Sequence, residues 1–133
     1  MHYLLDTNIC IYIIKRRPSD VLSRFREHSP RDVAISIISV FELEYGVQKS
    51  EFQQRSQDAL IKFIKPLNII NLDHSSVTES AIIRAQLENR GTPIGSYDLL
   101  IAGIARSRGM ILVTNNVKEF ERVEGLLLEN WAL

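Results

Sequence analysis

Short apolar segments alternate with helical patterns along the whole chain, and this alternation constrains the fold more than any other feature. The segments typical of buried strands are 3–5, 32–37, 68–72 and 110–114, and residues 126–128 suit a last edge strand. Helical patterns are predicted at 9–15, 18–27, 39 onward, 52–64, 76–89, 97–107 and 118–120. Such alternation indicates a parallel sheet with helices on both faces. The sequence therefore predicts one α/β domain over residues 1–133.

The charges of the chain balance, with sixteen Lys and Arg side chains against sixteen Asp and Glu side chains. A neutral chain has no overall attraction for nucleic acid, so RNA binding would need a local basic patch, a metal ion or both. The single cysteine, Cys10, lies between two isoleucines and is expected to be buried rather than reactive. Because neither a secretory signal nor a membrane-spanning run is evident, the sequence predicts a cytoplasmic protein.

Four acidic residues are predicted to lie near the carboxyl ends of the strands, where open parallel sheets bind ligands. They are Asp6 after the first strand, Glu42 in the helix after the second, Asp98 in the helix before the fourth, and Glu119 shortly after the fourth. Carboxylates are the ligands that Mg²⁺ and Mn²⁺ prefer, and several acids together would repel one another without a cation. The pattern therefore indicates a metal site suited to phosphodiester hydrolysis.

Each acid, taken singly, also has a structural interpretation. Ser39 and Glu42 have the S-x-x-E spacing of a capping box, and Asn116 and Glu119 could form the same cap. The helix dipole alone would favour Asp98 in a first helical turn. Only the coincidence of all the acids at one edge of the sheet favours catalysis over these interpretations.

Four segments occur in a characteristic order and spacing: LLDTN at 4–8, SVFEL at 39–43 with Gly46 behind it, GSYDLLIA at 95–102, and VTNNVKEF at 113–120. They resemble the motifs of the PIN-domain family, and the resemblance covers nearly the whole chain. Within that family the chain looks most like the VapC toxins of bacterial toxin–antitoxin pairs, including the closing LENW at 128–131.

The resemblance implies a five-stranded parallel sheet and RNA cleavage that depends on Mg²⁺ or Mn²⁺. It implies that the substrate is transfer RNA, as for many relatives, and that the tail of a cognate antitoxin, VapB, occupies a groove and inhibits the enzyme. It also implies a homodimer and a hetero-oligomer with the antitoxin. Ile11, Ile14 and Leu60 are candidates for apolar residues exposed at the dimer surface.

Carried over by motif, the resemblance assigns metal binding to Asp6, Glu42 and Asp98. It assigns to Thr7, Ser39 and Asn116 the orientation of those acids or of a bound water. Many PIN domains carry an acid at the position of Asn116, whereas here the fourth acid is Glu119, three residues later. Ile37 and Ile38 replace the usual small residues before the glutamate.

Local clusters of cations are candidates for contacts with RNA phosphates. Lys15, Arg16 and Arg17 end the first predicted helix, and Arg84 lies on the long helix at 76–89. Cations are also favoured at helix ends without any ligand, so a solvated helix end is an equal alternative. Tyr97 could stack on a base or pack in a core or interface.

Three other functions fit parts of the pattern. A haloacid-dehalogenase-like phosphatase needs Asp-x-Asp after the first strand, and here Asn8 takes the second place. A phosphoacceptor signalling domain needs paired acids there and a lysine near the last strand, and neither is evident. A PIN-like module that only binds a partner or RNA would not need its acids. His2, His28 and His74 share no context, are expected at the surface, and leave no histidine-based site.

Overall fold

Five parallel strands form the centre of the computed structural model, which describes residues 2–132. The strands are β1 (Tyr3–Leu5), β2 (Val33–Ser36), β3 (Asn68–Ile70), β4 (Ile111–Val113) and β5 (Leu127–Glu129). Their order in the sheet is β3-β2-β1-β4-β5, and every neighbouring pair is parallel. The predicted five-stranded parallel sheet is confirmed, with β4 inside the sheet and β5 at its edge.

Helices occupy every stretch where the sequence predicts them. They are α1 (Thr7–Lys15), α2 (Ser19–Arg26), α3 (Ile37–Lys49), α4 (Gln53–Ile64), α5 (His74–Asn89), α6 (Ser96–Arg108) and α7 (Val117–Phe120). A 3₁₀ turn at Pro30–Asp32 precedes β2. None of the helices within residues 2–132 is long and apolar enough to cross a bilayer.

The core consists of two apolar layers, one on each face of the sheet. Successive strand residues point to opposite faces, so Leu4 packs with residues of α5, α6 and α7, while Leu5 packs with residues of α1, α2, α3 and α4. Both side chains are fully buried. Burial on both faces explains why the central strands are continuous apolar runs, and the prediction of helices on both faces is confirmed.

Three helices, α1, α3 and α5, begin two residues before their predicted starts, and at each of them the residue before the helix provides a side-chain cap. Asp6 precedes α1, and its carboxylate accepts from the backbone N–H of Thr7. Ser36 precedes α3, and its hydroxyl accepts from the backbone N–H of Ser39 at 3.0 Å. Ser39 therefore lies inside the helix, and the capping-box interpretation of Ser39 and Glu42 is wrong.

Surface assignments from sequence were partly wrong, because burial depends on which elements meet. Cys10 is fully buried, as expected. Burial is the main cause that raises the pKa of its thiol, and the charge of Asp6 is the second. Ile11 is exposed and Ile14 is half-buried, but Leu60, expected at the surface, is 4% exposed. His28, also expected there, is half-buried and stacks on the ring of buried Trp131, with ring centroids 4.9 Å apart.

A close contact between α5 and α6 fixes the helix that carries Asp98. At Gly103 of α6, an added Cβ would lie 1.8 Å from the Ser80 hydroxyl and 2.8 Å from the Ser76 carbonyl oxygen. Only a residue without a side chain allows this approach. The contact thereby sets the position of the α6 N-terminus at the carboxyl edge of the sheet.

Candidate active site

The structure gathers all four predicted acids at the carboxyl edge of the sheet. Asp6 follows β1 directly and is 5% exposed. The other three acids lie on helices: Glu42 in the second turn of α3, Asp98 in the first turn of α6, and Glu119 in α7. Their charges act on one another: those of Asp6, Glu119 and Glu42 all raise the pKa of Asp98. Residues separated by up to 113 positions in sequence thus form one acidic cluster.

Asp6 is held in place by two hydrogen bonds. The backbone N–H of Thr7 donates to one carboxylate oxygen at 2.8 Å, and the hydroxyl of Thr114 donates to the other at 2.8 Å. Burial raises the pKa of Asp6 above its usual value, and the charges of Glu42 and Glu119 add to that effect. The two hydrogen bonds act in the opposite direction, because they stabilise the charged carboxylate.

Thr114 has a position in the site that the sequence analysis missed. It is fully buried, donates to Asp6 and accepts a hydrogen bond from the backbone N–H of Asn116 at 2.9 Å. Leu5 pairs with Val113 in the sheet, so the residues that follow them, Asp6 and Thr114, are neighbours. The sequence does show a hydroxyl residue directly after an apolar strand. Only the order of the strands in the sheet, however, reveals that this hydroxyl lies beside Asp6.

Glu42 is oriented by a chain of hydroxyl groups. Thr7 Oγ1 donates to Glu42 Oε1 at 2.7 Å and lies 2.9 Å from Ser39 Oγ. Ser36 Oγ lies 3.4 Å from Ser39 Oγ and extends the chain into the buried end of β2. The first turns of α1 and α3 are therefore tied together at the acidic cluster, and the predicted orienting residues Thr7 and Ser39 both contribute.

Asp98 and Glu119 form a carboxyl–carboxylate pair. Partial burial, the charge of Asp6 and the hydrogen bond to Glu119 raise the pKa of Asp98 to about 7. The pKa of Glu119 is lowered, although partial burial by itself would raise it. Its charged form is stabilised by hydrogen bonds from the backbone N–H of Gly95 at 3.1 Å, from the Asn116 amide and from Asp98. Below about pH 7, the pair therefore shares one proton, which Asp98 holds and donates to Glu119. Asn116 contacts Glu119 and not Asp6.

The donor chemistry of this cluster fits a hard divalent cation, although the ligands are not closed into a cage. No group of three or more Asp, Glu, His or Cys side chains within residues 2–132 is arranged to hold a metal ion. Glu42 and Glu119 instead accept hydrogen bonds from neighbouring side chains. Mg²⁺ commonly keeps several waters and takes only one or two carboxylates directly, so a loose set of carboxylates suits it. Mutual repulsion of the acids is relieved by a cation.

The predicted RNA-binding cations lie in two separate places. Lys15 lines a groove of about 590 Å³ between α1, α3 and α4, which reaches Glu42, and Arg16 and Arg17 follow it at the exposed end of α1. Arg84 forms an ion pair with Glu88 at 3.0 Å and lines a smaller cavity of about 210 Å³ between α5 and α6. The structure thus brings Lys15, but not Arg84, to the apolar groove that reaches the acidic cluster.

The family model of the PIN domain matches residues 3–126. The chain is 42% identical to the tRNA(fMet)-specific endonuclease VapC of Shigella flexneri and 44% identical to ribonuclease VapC2 of Haemophilus influenzae, each over 99% of both proteins. It also superposes on a chain of the DNA-bound VapBC crystal structure from Salmonella typhimurium. The TM-score is 0.93, and the two chains are 41% identical over 98% of each.

The chain belongs to the PIN-domain family, and within it to the VapC ribonucleases. The fold class and the family resemblance predicted from the sequence motifs are confirmed. The membership argues against the phosphatase and the phosphoacceptor domain. It also gives the acidic cluster a chemical context, because PIN-domain nucleases generally depend on divalent metal ions.

Proposed function

We propose that this chain is the endoribonuclease toxin of a toxin–antitoxin pair, that it acts in the cytoplasm, and that it hydrolyses phosphodiester bonds in transfer RNA. Relatives from Shigella flexneri and Salmonella typhimurium carry the name tRNA(fMet)-specific endonuclease, so initiator tRNA is the substrate to test first. The observation that carries the proposal is the convergence of four acids, from four separate parts of the chain, at one edge of the sheet.

Asp6, Glu42 and Asp98 would hold Mg²⁺ or Mn²⁺ at this edge. When bound, such an ion supplies a water of lowered pKa and offsets the negative charge of the phosphate. The acidic cluster would otherwise repel an RNA backbone, and the net charge of zero offers no compensating attraction. The metal would therefore strengthen binding of the substrate, in addition to its part in the chemistry.

The remaining polar residues of the site have distinct proposed roles. Thr7 and Ser39 orient Glu42, and Thr114 orients Asp6, through the hydrogen bonds described above. Asn116 orients Glu119, which exchanges a proton with Asp98. Because Asp98 is neutral for part of the time near pH 7, loss of its proton would accompany the binding of a cation.

The groove beside Glu42 is the proposed binding site of the antitoxin tail. Its lining includes the apolar side chains of Ile11, Ile14 and Leu43 and the cations Lys15 and Lys49. Such a surface suits a segment with apolar anchors and acidic groups. The Salmonella typhimurium relative is known in a VapBC complex, which supports a VapB-type partner for this chain. We further propose a homodimer that assembles with the antitoxin.

The test is cleavage of purified initiator tRNA with and without a chelator. We expect cleavage with Mg²⁺ or Mn²⁺, none in EDTA, and loss of activity in Asp6→Asn and Asp98→Asn. Glu44→Gln is the matched control, because Glu44 lies on α3 two residues after Glu42 and is exposed. Undiminished cleavage by both Asn variants, or by the wild-type enzyme in EDTA, would contradict the assignment.

A further inference from the structure

Two aromatic side chains lie exposed beside the acidic cluster. Phe41 of α3 is 55% exposed and Tyr97 of α6 is 47% exposed. Their rings meet edge to face, with centroids 5.6 Å apart and planes inclined by 68°. Large aromatic rings are costly to leave in water, and a tilted pair leaves ring faces available for another planar group.

Each ring directly precedes an acid of the cluster in sequence. Phe41 comes before Glu42, and Tyr97 comes before Asp98. Consecutive Cα atoms are only about 3.8 Å apart, and successive side chains on a helix diverge, so each ring lies to one side of its acid. A phosphodiester bond placed at the acids would therefore have a neighbouring base close to these rings.

The aromatic pair is continued along α3 by further exposed side chains. Ile37, Phe41, Tyr45 and Lys49 follow at intervals of four residues, which places them on one side of the helix. Ile37 is 37% exposed and Tyr45 is 57% exposed, and the Lys49 ammonium lies 5.3 Å from the centroid of the Tyr45 ring. The row thus combines aromatic surfaces with a cation, as surfaces that bind single-stranded nucleic acid do.

We propose that Phe41 and Tyr97 form a stacking platform for an unpaired RNA base next to the bond that is cleaved. This inference rests on the proposed ribonuclease function and deepens it: the substrate would be recognised where its bases are free to leave a helical stack. Stacking on aromatic rings needs little net positive charge, which suits a chain whose charges balance.

A second copy of the chain is a less suitable occupant of this surface. The core of a protein–protein interface is depleted of charged residues. The aromatic pair, by contrast, is bordered by Glu42 and Asp98, with exposed Glu44 on the same helix. Burial of those carboxylates against a second chain would carry a desolvation cost. An RNA strand whose phosphate binds at the acidic cluster, by contrast, necessarily brings the neighbouring bases close to the aromatic pair.

The experiment is a double-mutant cycle between the protein and the RNA. The bond cut by the wild-type enzyme in initiator tRNA is mapped first, and single abasic substitutions are then made at the two nucleotides on either side. Binding of each fluorescently labelled RNA is measured in EDTA, where the proposed mechanism allows no cleavage. We expect one abasic site to weaken binding by about ten-fold or more for the wild-type protein.

The same abasic site should have little further effect on Phe41→Ala or Tyr97→Ala, because the platform is already lost. Phe41→Tyr and Tyr97→Phe should keep the full abasic effect, while Phe41→Leu, which keeps apolar area without an aromatic ring, should lose it. Val77→Ala, at a site on α5 that is 46% exposed, is the matched control and should behave as the wild type.

Two results would overturn the platform. One is an equal abasic effect in the wild-type protein and in both alanine variants. The other is conversion of a wild-type dimer to monomers by these variants in analytical ultracentrifugation, which would assign the surface to a second copy. Failure of the proposed function is distinguishable, because it appears as absence of RNA cleavage by the wild-type enzyme with Mg²⁺. All alanine variants carry changes at exposed positions and should melt within a few degrees of the wild type.

Discussion

The repulsion within the acidic cluster should make the metal-free protein more stable when Asp98 is replaced by Asn. Folding raises the pKa of this carboxyl from 3.8 to about 7. A group whose pKa is raised on folding contributes stability at low pH, and that contribution is lost as the pH rises through the folded value. The wild-type protein therefore loses stability between about pH 4 and pH 7, whereas an amide at this position cannot lose a proton.

The size of the effect follows from the shift and the exposure of the group. A change of roughly three pKa units would correspond to about 4 kcal/mol without screening. Because Asp98 is only half-buried, solvent reduces this to about 1–2 kcal/mol. In a domain of this size, Asp98→Asn should then raise the melting temperature by about 3–8 °C at pH 8 in EDTA. The Asn amide also keeps a donor for Glu119.

The assay is thermal unfolding at pH 5 and pH 8, with EDTA or with Mg²⁺. The advantage of Asp98→Asn should shrink to about a third at pH 5, because most of the carboxyl groups are then protonated in the folded protein. Mg²⁺ should stabilise the wild-type protein more than the variant. Asp58→Asn, at an exposed position on α4, is the control for a general charge effect. A variant that melts below the wild type at pH 8 in EDTA would refute the reasoning.

Further predictions concern residues that position the site. Thr114→Val should lower cleavage and cost about 1–3 kcal/mol of unfolding free energy, because buried Asp6 loses a donor, and Thr114→Ser should retain both properties. Gly103→Ala should cost about 1–3 kcal/mol in chemical denaturation, since its Cβ would meet Ser80. Gly46→Ala should instead stabilise α3 by about 0.5–1 kcal/mol, because no described atom beyond its chain neighbours and the nearby backbone of α3 lies within 4 Å of the added Cβ.

Equal unfolding free energies for the two glycine variants would contradict the packing described between α5 and α6. For Thr114, a valine variant as active as the serine variant would show that the hydrogen bond to Asp6 does not support cleavage. Circular dichroism of each variant at low temperature provides the check that the fold is retained.

The sequence alone determined the elements of this protein and the identity of its acids. Apolar runs buried on both faces of a sheet and helices with one apolar side leave patterns of fixed period, so the parallel sheet and the seven helices within residues 2–132 could be predicted. The motifs around Asp6, Glu42 and Asp98 likewise identified the family before any contact was known.

Only the tertiary structure decided which polar groups meet. The cap of α3 is Ser36 rather than Ser39, so Glu42 is free to accept from Thr7, a residue 35 positions away. Thr114 gained its role from the register of two strands. Hydrogen bonds and charge interactions between distant segments depend on strand order and side-chain direction, which periodicity in sequence does not encode. For the same physical reason, the exposed side of α3 and the pairing of its aromatic ring with α6 emerged only from the folded chain.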